Sequence, residues 1–242
     1  SKQFSWNTYL NLTIPQNRLI RYPNLATSTY ASQYKLGESL NLIYGSSYAG
    51  LDSIGLYSIK DVNKDGLGNS SDYSVHGKTD QRLYGGLSNT VSYKGFQLDF
   101  LFQFVRQTGA NFRSNGLYNP PGTMYNQPKL LLDRWQKPGD KSANQKYTLS
   151  AGSLTGTSGY YAMMFSDYRF SDASYIRLKN VSLAYTLPLE VIKKLHLQSC
   201  RVYVQAQNLL TISKYQGGDP ETQNYLSMPP LRTIVGGIQL SL

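Results

Sequence analysis

The sequence predicts an all-β chain, a segment of a transmembrane antiparallel β-barrel with long extracellular loops, and three observations carry that prediction. The first is composition: of 242 residues only 16% are charged, whereas 13% are aromatic, and the chain holds 21 Tyr, 21 Gly and 10 Pro. Charged residues make up about a quarter of an ordinary globular domain, so Ser, Thr, Asn, Gln, Gly and Tyr supply the polarity here. Such aromatic content opposes intrinsic disorder, and the Gly and Pro residues interrupt nearly every stretch that could build a helical bundle. The second is period-two alternation over segments of ten or more residues, where strands of soluble proteins run about five or six. A tilted membrane-crossing strand needs about 9–11 residues. The third is that short and long connections alternate along the chain, as at the two ends of a membrane barrel.

The first strand, residues 3–14, sets Phe4, Trp6, Leu10, Leu12 and Ile14 opposite Gln3, Ser5, Asn7, Asn11 and Thr13. Residues 82–93 alternate more weakly through Leu83, Leu87, Val91 and Tyr93. Residues 95–107 give the clearest pattern, with Phe96, Leu98, Phe100, Phe102 and Phe104 opposite Gln97, Asp99, Leu101, Gln103 and Val105. In 174–187, Val181, Leu183, Tyr185 and Leu187 form one apolar face, but counting back by two places Arg177 and Lys179 on it as well. Either this strand bulges near Lys179-Asn180 or it has left the apolar layer by then. Residues 199–209 set Val202, Val204 and Ala206 opposite Arg201, Tyr203, Gln205 and Gln207. The last, 231–242, gathers Ile234, Ile238, Leu240 and Leu242 against Thr233, Gln239 and Ser241.

Between these strands, Tyr93-Lys94-Gly95 reads as a tight turn and 188–198 as a short connector holding one helical turn. Residues 15–81, 108–173 and 210–230 are the longer connections. With the C-terminus on the periplasmic side, strand parity puts all three outside the cell. Within them, 125–137 is a helix candidate with Leu130, Leu131 and Trp135 near one face, and the Gly/Ser/Thr-rich stretch 148–159 reads as flexible loop. No run of about 18 apolar residues occurs, so a membrane-spanning helix is excluded but a barrel is not. In hydrocarbon every backbone polar group needs an internal partner, so strands must close into a barrel. Small barrels already take about eight strands, so six strands are an incomplete unit. A soluble β-sandwich, its apolar strand faces packed on each other, is the competing architecture.

One motif carries metal chemistry. In 61–72, DVNKDGLGNSSD, Asp61, Asn63 and Asp65 alternate, Gly66 is sixth, Leu67 seventh, Asn69 ninth and Asp72 twelfth. That is the spacing of an EF-hand Ca2+ loop, in which alternate oxygens converge on a hard cation and glycine permits the bend. Asp72 stands where a longer Glu is usual, which weakens the site. The competing account is an Asx-turn loop closed by local hydrogen bonds. Catalytic sets fare poorly. His76 and His196, the two histidines, fall at opposite ends of the strands, and Asp133 with Asp140, or Asp167 with Asp172, are pairs that any loop-rich chain offers. The chain therefore reads as no enzyme. Cys200 is the single cysteine, so no internal disulfide forms, and it reads as a small apolar residue. The net charge of +10 is scattered, with Lys193-Lys194 the one adjacent pair, which speaks for solvated surface charge and against nucleic acid. Trp135, Arg113 and Arg134 in the external segments are candidates for ligand contact, against the alternatives of interfacial girdle and loop packing.

Five stretches in order, DVNKDG with a downstream Asp, HGKTDQRLYGGLSNTVSYKGFQLDF, SDASYIRLKNVSLAYTLP, RVYVQAQNLLTISKYQGGDPE and LRTIVGGIQLSL, span roughly residues 60–242. Together they resemble the C-terminal part of SusC/RagA-type TonB-dependent outer-membrane transporters of Gram-negative bacteria; residues 1–59 match in strand-loop style only. The resemblance implies a 22-stranded barrel of which residues 1–242 form the last six strands. The N-terminal plug and the earlier strands would lie outside this chain. It further implies import of a glycan or oligopeptide, a SusD-like surface lipoprotein as lid, and energy from the TonB complex acting through the missing N-terminal part.

Overall fold

Six long strands form one antiparallel sheet in which every strand pairs with the next long strand along the chain. The computed structural model describes residues 4–66, 68–115, 120–148, 154–194, 196–224 and 226–241. In chain order its elements are β1 (Phe4–Thr13), β2 (Leu42–Gly45), β3 (Tyr48–Leu51), β4 (Tyr57–Ile59), β5 (Ser74–Lys78), β6 (Leu83–Tyr93), β7 (Phe96–Arg106), β8 (Thr108–Ala110) and α1 (Phe112–Asn115). There follow α2 (Leu154–Met164), β9 (Phe170–Asp172), β10 (Tyr175–Thr186), α3 (Leu189–Lys194), β11 (Ser199–Ser213) and β12 (Thr233–Ser241). The large sheet has the order β1-β6-β7-β10-β11-β12. Its members are the six long strands expected from the alternation, except that β11 runs on to Ser213, past the expected end at 209.

Register joins the separate alternations into two continuous faces. One row across the sheet reads Trp6, Val91, Leu98, Leu183, Val204, Gly236. The next reads Thr8, Asn89, Phe100, Val181, Ala206, Ile234, and Leu10, Leu87, Phe102, Leu178 and Leu210 extend the belt. Between these rows the opposite face carries Asn7, Thr90, Asp99, Ser182 and Gln205 in line. A one-residue slip in any strand would turn its apolar set to the wrong face, so the agreement of all five pairings is a strong constraint. Trp6, Leu10, Leu183, Val204, Ile234 and Ile238 are each at least half exposed. Covering an aliphatic side chain of that size gains about 1.5–3 kcal/mol, so a belt of them requires an apolar phase.

The strand that misfits by simple counting is β10, and it bulges. Its pairing with β7 passes from Leu178↔Phe102 to Asn180↔Leu101, leaving Lys179 as the extra residue. On the other side, Asn208 and Leu209 stand opposite Lys179, between the pairs Leu178↔Leu210 and Asn180↔Gln207. Asn208 takes φ +54°, a left-handed conformation that Asn tolerates. The bulge shifts the phase by one residue. Ile176 and Leu178 therefore join the apolar belt, and Arg177 moves to the polar face.

The two ends of the sheet differ. At one end β6 and β7 are joined by Lys94-Gly95, both at positive φ (+46° and +86°), the geometry of a two-residue type I′ hairpin turn. At the same end α3 connects β10 to β11, with Ile192 buried and Lys193 and Lys194 in its last turn, where cations meet the helix dipole favourably. All three long connections leave from the other end. They fold together into a cap whose core is Tyr57, Leu131, Tyr160 and Met163.

Two local expectations fail in this cap. Residues 125–137 form no α-helix; only Lys129–Leu132 make a 3-10 turn. Pro128 precedes it, and Asp140 draws the N–H groups of Gln136 and Lys137 into a separate turn at 2.8 and 2.9 Å. Conversely, the later part of 148–159 belongs to α2, while 149–153 lie outside the described residues. Helix α2 forms because its second half brings Tyr160 and Met163 into the cap core, and tertiary packing overrides the weak propensity of its Gly and Thr residues.

Candidate functional site

The polar face of the sheet and the cap above it make one continuous surface. On the face, Asp99 accepts hydrogen bonds from Thr90 Oγ1 at 2.7 Å and Gln97 Nε2 at 2.8 Å. It lies among Ser88, Asn180, Ser182, Gln205 and Gln207 in a groove of about 340 Å³. Such a lining suits water and neutral hydrogen-bonding groups. On the apolar face the one buried polar side chain at mid-strand, Asn89, is satisfied locally, since Trp6 Nε1 and Thr8 Oγ1 donate to its Oδ1 at 2.9 and 2.7 Å.

Where wall meets cap, Arg177 is almost completely buried and is ion-paired with Asp219 and Glu221 from the third long segment. Its Nε also donates to Thr211 Oγ1 at 3.0 Å, and Lys179 reaches Glu221 at 2.8 Å. The bulge thus has a purpose in packing: it delivers a cation to the polar face where a loop supplies two carboxylates. A second tie is Gln107, whose Nε2 donates to Pro220 O at 2.8 Å. Phe112 N donates to Gln216 O at 2.8 Å, and the Tyr215 hydroxyl donates to Ala110 O. The segment 214–224 is therefore a strap held to both wall and cap.

The first and second long segments are joined by backbone exchange at Ser46. Its N–H donates to Phe165 O, and Asp167 N donates to Ser46 O, each at 3.1 Å. Asp167 Oδ1 accepts from Tyr48 N at 2.8 Å, and its other oxygen lies 3.6 Å from His76 Nδ1. Tyr48 stacks on Tyr168 at 3.8 Å, nearly parallel. Burial, with neighbouring tyrosine hydroxyls adding to it, pushes Tyr57 up to about 12 and Tyr48 and Tyr160 beyond the usual phenol range. These phenols stay neutral at any physiological pH.

At the root of the first segment, Asp80 accepts from Asn17 Nδ2 at 2.8 Å and Asn41 Nδ2 at 2.6 Å, and from the Ser39 hydroxyl. Burial alone would raise its pKa, but the bonds from Asn41, Ser39 and Asn17 and the charge of Lys78 outweigh that and hold it low.

The three residues proposed from sequence for ligand contact are all engaged within the cap. The Arg113 guanidinium lies over the rings of Phe112 and Tyr168, at 4.3 and 4.0 Å, and Arg134 over Tyr147 at 4.0 Å. The Trp135 ring packs against Gly55, where a Cβ would come within 2.2 Å of it. Trp135 also borders a cleft of about 610 Å³ with Tyr48, Tyr168 and Asp140.

In the 61–72 loop the oxygens are shared with backbone N–H groups. Asp61 accepts from Lys64 N at 2.7 Å and Gly66 N at 2.8 Å. Asp72, fully buried, accepts from Val62 N at 2.7 Å, Asn63 N at 3.4 Å and Asn69 N at 3.2 Å. Asn63 Nδ2 donates to Asp65 Oδ2 at 2.8 Å, and Leu67 lies outside the described residues. Among the described residues no group of three or more His, Cys, Asp or Glu side chains is placed to hold a metal ion. The geometry is that of interlocked Asx turns, with Asn69 and Asp72 forming a reciprocal cap on the following turn.

Sequence reasoning missed the Arg177 cluster, the Ser46 junction and Arg169. The first had a signal: a cation in apolar register is a misfit that calls for a partner, and Asp219 and Glu221 follow one strand later. The Ser46 junction joins residues more than a hundred positions apart, and Arg169 meets Ser114 from another part of the second long segment, so neither leaves a local trace.

No family model matches the chain. Among curated proteins it is 31% identical over 166 residues to a TonB-dependent receptor of Formosa agariphila, covering 68% of this chain and 16% of that protein. It is 23% identical over 261 residues to the TonB-dependent receptor SusC of Bacteroides thetaiotaomicron, covering 95% of this chain and 23% of SusC. The solved RagAB peptide importer in its open-open state superposes over the whole chain with a TM-score of 0.78 at 25% identity, 27% of that structure being covered. The chain belongs to the SusC/RagA-type TonB-dependent receptors. Its sheet is one segment of the antiparallel barrel of that family. SusC/RagA-type proteins are receptors and transporters, not enzymes. The chain spans about a quarter of the length of SusC and of the RagAB structure it matches.

Proposed function

We propose that this chain is the C-terminal barrel wall and extracellular cap of an outer-membrane importer that takes up a glycan or an oligopeptide. The observation that carries the reading is the apolar belt that runs across all six strands, opposite a polar face overhung by the cap. In a soluble sandwich a second sheet would cover that belt, and no other sheet among the described residues has more than two strands. A SusD-like lipoprotein seated on the cap, and drive from the TonB complex through a plug outside this chain, complete the proposal. Both are supported by the likeness to SusC and to the RagAB importer. A Ca2+ ion in the 61–72 loop is proposed only as a structural ion, supported by the alternation of Asp61, Asn63 and Asp65.

The test is expression of the full gene, separation of membranes and detergent extraction. A heat-modifiable barrel in the outer-membrane fraction, with a surface lipoprotein co-purifying, is the expected result. Recovery of this segment as a soluble secreted protein would overturn the proposal in favour of a sandwich. For the ion, added Ca2+ should slow proteolysis within 61–72 relative to chelator; equal rates would remove Ca2+ from the account.

A further inference from the structure

Between the β2–β5 ribbon and the turn leading from α2 into β9 lies a cleft of about 380 Å³, inside the range of about 300–1,000 Å³ typical of small-molecule sites. Its wall is aromatic, with Tyr44 and Tyr73 meeting edge to face at 5.7 Å and Phe165 and Phe170 also lining it. Ser166 and Ile43 are buried lining residues, whereas Ser32 and Gln33 are exposed, so the cleft has a floor and an open mouth.

The one charged group on this lining is Arg169. Its Nε donates to Ser114 Oγ at 3.3 Å and its Nη1 to Met164 O at 3.0 Å. These contacts fix the guanidinium and leave Nη2 with no hydrogen-bond acceptor among the described residues. No carboxylate forms an ion pair with Arg169; the ion pairs of the described residues involve His76, Lys78, Arg177 and Lys179. The guanidinium is partly buried, lies 5.3 Å from the centre of the Phe170 ring and has its pKa depressed by burial. Arg177, a few residues on, is the contrasting case, with two carboxylates and a hydroxyl as partners.

We propose that this cleft is a binding site for a ligand that bears a carboxylate on an apolar or ring-containing body, the carboxylate on Arg169 and the body among Tyr44, Tyr73, Phe165 and Phe170. Planar, fixed guanidinium donors suit a carboxylate in particular, and aromatic walls suit a ring. A peptide C-terminus and an acidic sugar share this chemistry. The site stands apart from the import reading, because it depends on the folded cap and not on transport.

The experiment is calorimetric titration of the full-length protein in detergent with N-acetylphenylalanine against its uncharged amide, and with methyl glucuronide against methyl glucoside. The account expects one acid of the two pairs to bind at least about tenfold tighter than its neutral counterpart, the value of a charge-assisted hydrogen bond. The pair that discriminates identifies the source. In Arg169→Gln the preference should vanish. Because that change also removes the bonds to Ser114 and Met164, Gln33→Glu gives an independent arm: it leaves Arg169 in place and puts a competing carboxylate at the mouth, and should weaken the acid at least about tenfold. Equal affinity for acid and neutral probe, no binding of either acid, or unchanged binding in Gln33→Glu would overturn the assignment.

Discussion

The wall and the cap are built under different rules. In the wall, each residue's environment follows from its parity along a strand, and five registers agree on which parity forms the apolar belt. In the cap, strands of three to five residues, short helices and turns are held by contacts between distant segments, and environment follows from partner rather than parity. The difference teaches where function can vary: a wall residue answers to the bilayer, whereas a cap residue answers only to other loops.

The comparison breaks most sharply where the two regions meet. Arg177→Ala leaves Asp219 without its cation and Glu221 with Lys179 alone, and losing one partner of a buried ionic cluster costs about 3–5 kcal/mol. The strap 214–224 should come free of the wall, read as new protease cleavage within it while the barrel stays heat-modifiable. A melt of the whole barrel on this change would show that the strap is part of the wall.

Within the wall, Val181→Arg sets a charge on the apolar belt and Ser182→Arg sets one on the polar face a single residue away. The first should cost about 2–4 kcal/mol if it falls near the bilayer centre, and the second a small fraction of that. Denaturant unfolding in lipid vesicles measures both, and similar costs would erase the assignment of faces.

The cap offers a smaller effect. Asp72→Ala removes a buried acceptor of three N–H groups, at about 1–3 kcal/mol, and should loosen residues 61–72 with no change in the barrel transition. Loop proteolysis at fixed temperature is the readout.

How much of this was legible follows from the same contrast. The six strands, the turn at Lys94-Gly95 and the inward glutamines were readable because alternation is local and lipid enforces it along each strand. The bulge was half-legible: Arg177 and Lys179 stood on the wrong parity, but only the pairing with β7 and β11 shows that one residue, Lys179, is looped out. In the cap, periodicity misled. Leu130, Leu131 and Trp135 suggested one helical face, yet Leu131 enters a core made with Tyr57 and Tyr160 while Trp135 turns away onto Gly55. The Gly- and Thr-rich start of α2 suggested a loop, because nothing nearby announces that Tyr160 and Met163 have a core to enter. The candidate ligand arginines lie in the cap, and their partners there, Phe112 and Tyr168 for Arg113 and Tyr147 for Arg134, are placed by the fold.

The smallest effect is one of pH. Asp80 has its pKa held below the unfolded value of about 3.9, so its anchoring of residues 15–41 is complete above that value and is lost as pH falls through the depressed one. Proteolysis of 15–41 should be flat from about pH 5 to 8 and should rise only below about pH 4. In Asp80→Asn that acid-dependent step should be absent. A rise near pH 6 would point to another group.

The central claim, that the belt faces lipid and the opposite face the lumen, is tested most directly by single-cysteine labels at Val204 and Gln205 in a Cys200→Ser background. These neighbours in β11 lie on opposite faces, in rows that also hold Leu183 and Ser182. With a fluorophore on each and brominated lipid in the vesicle, the account predicts strong quenching at position 204 and little at 205. Equal quenching at both positions, or the reverse order, would contradict it.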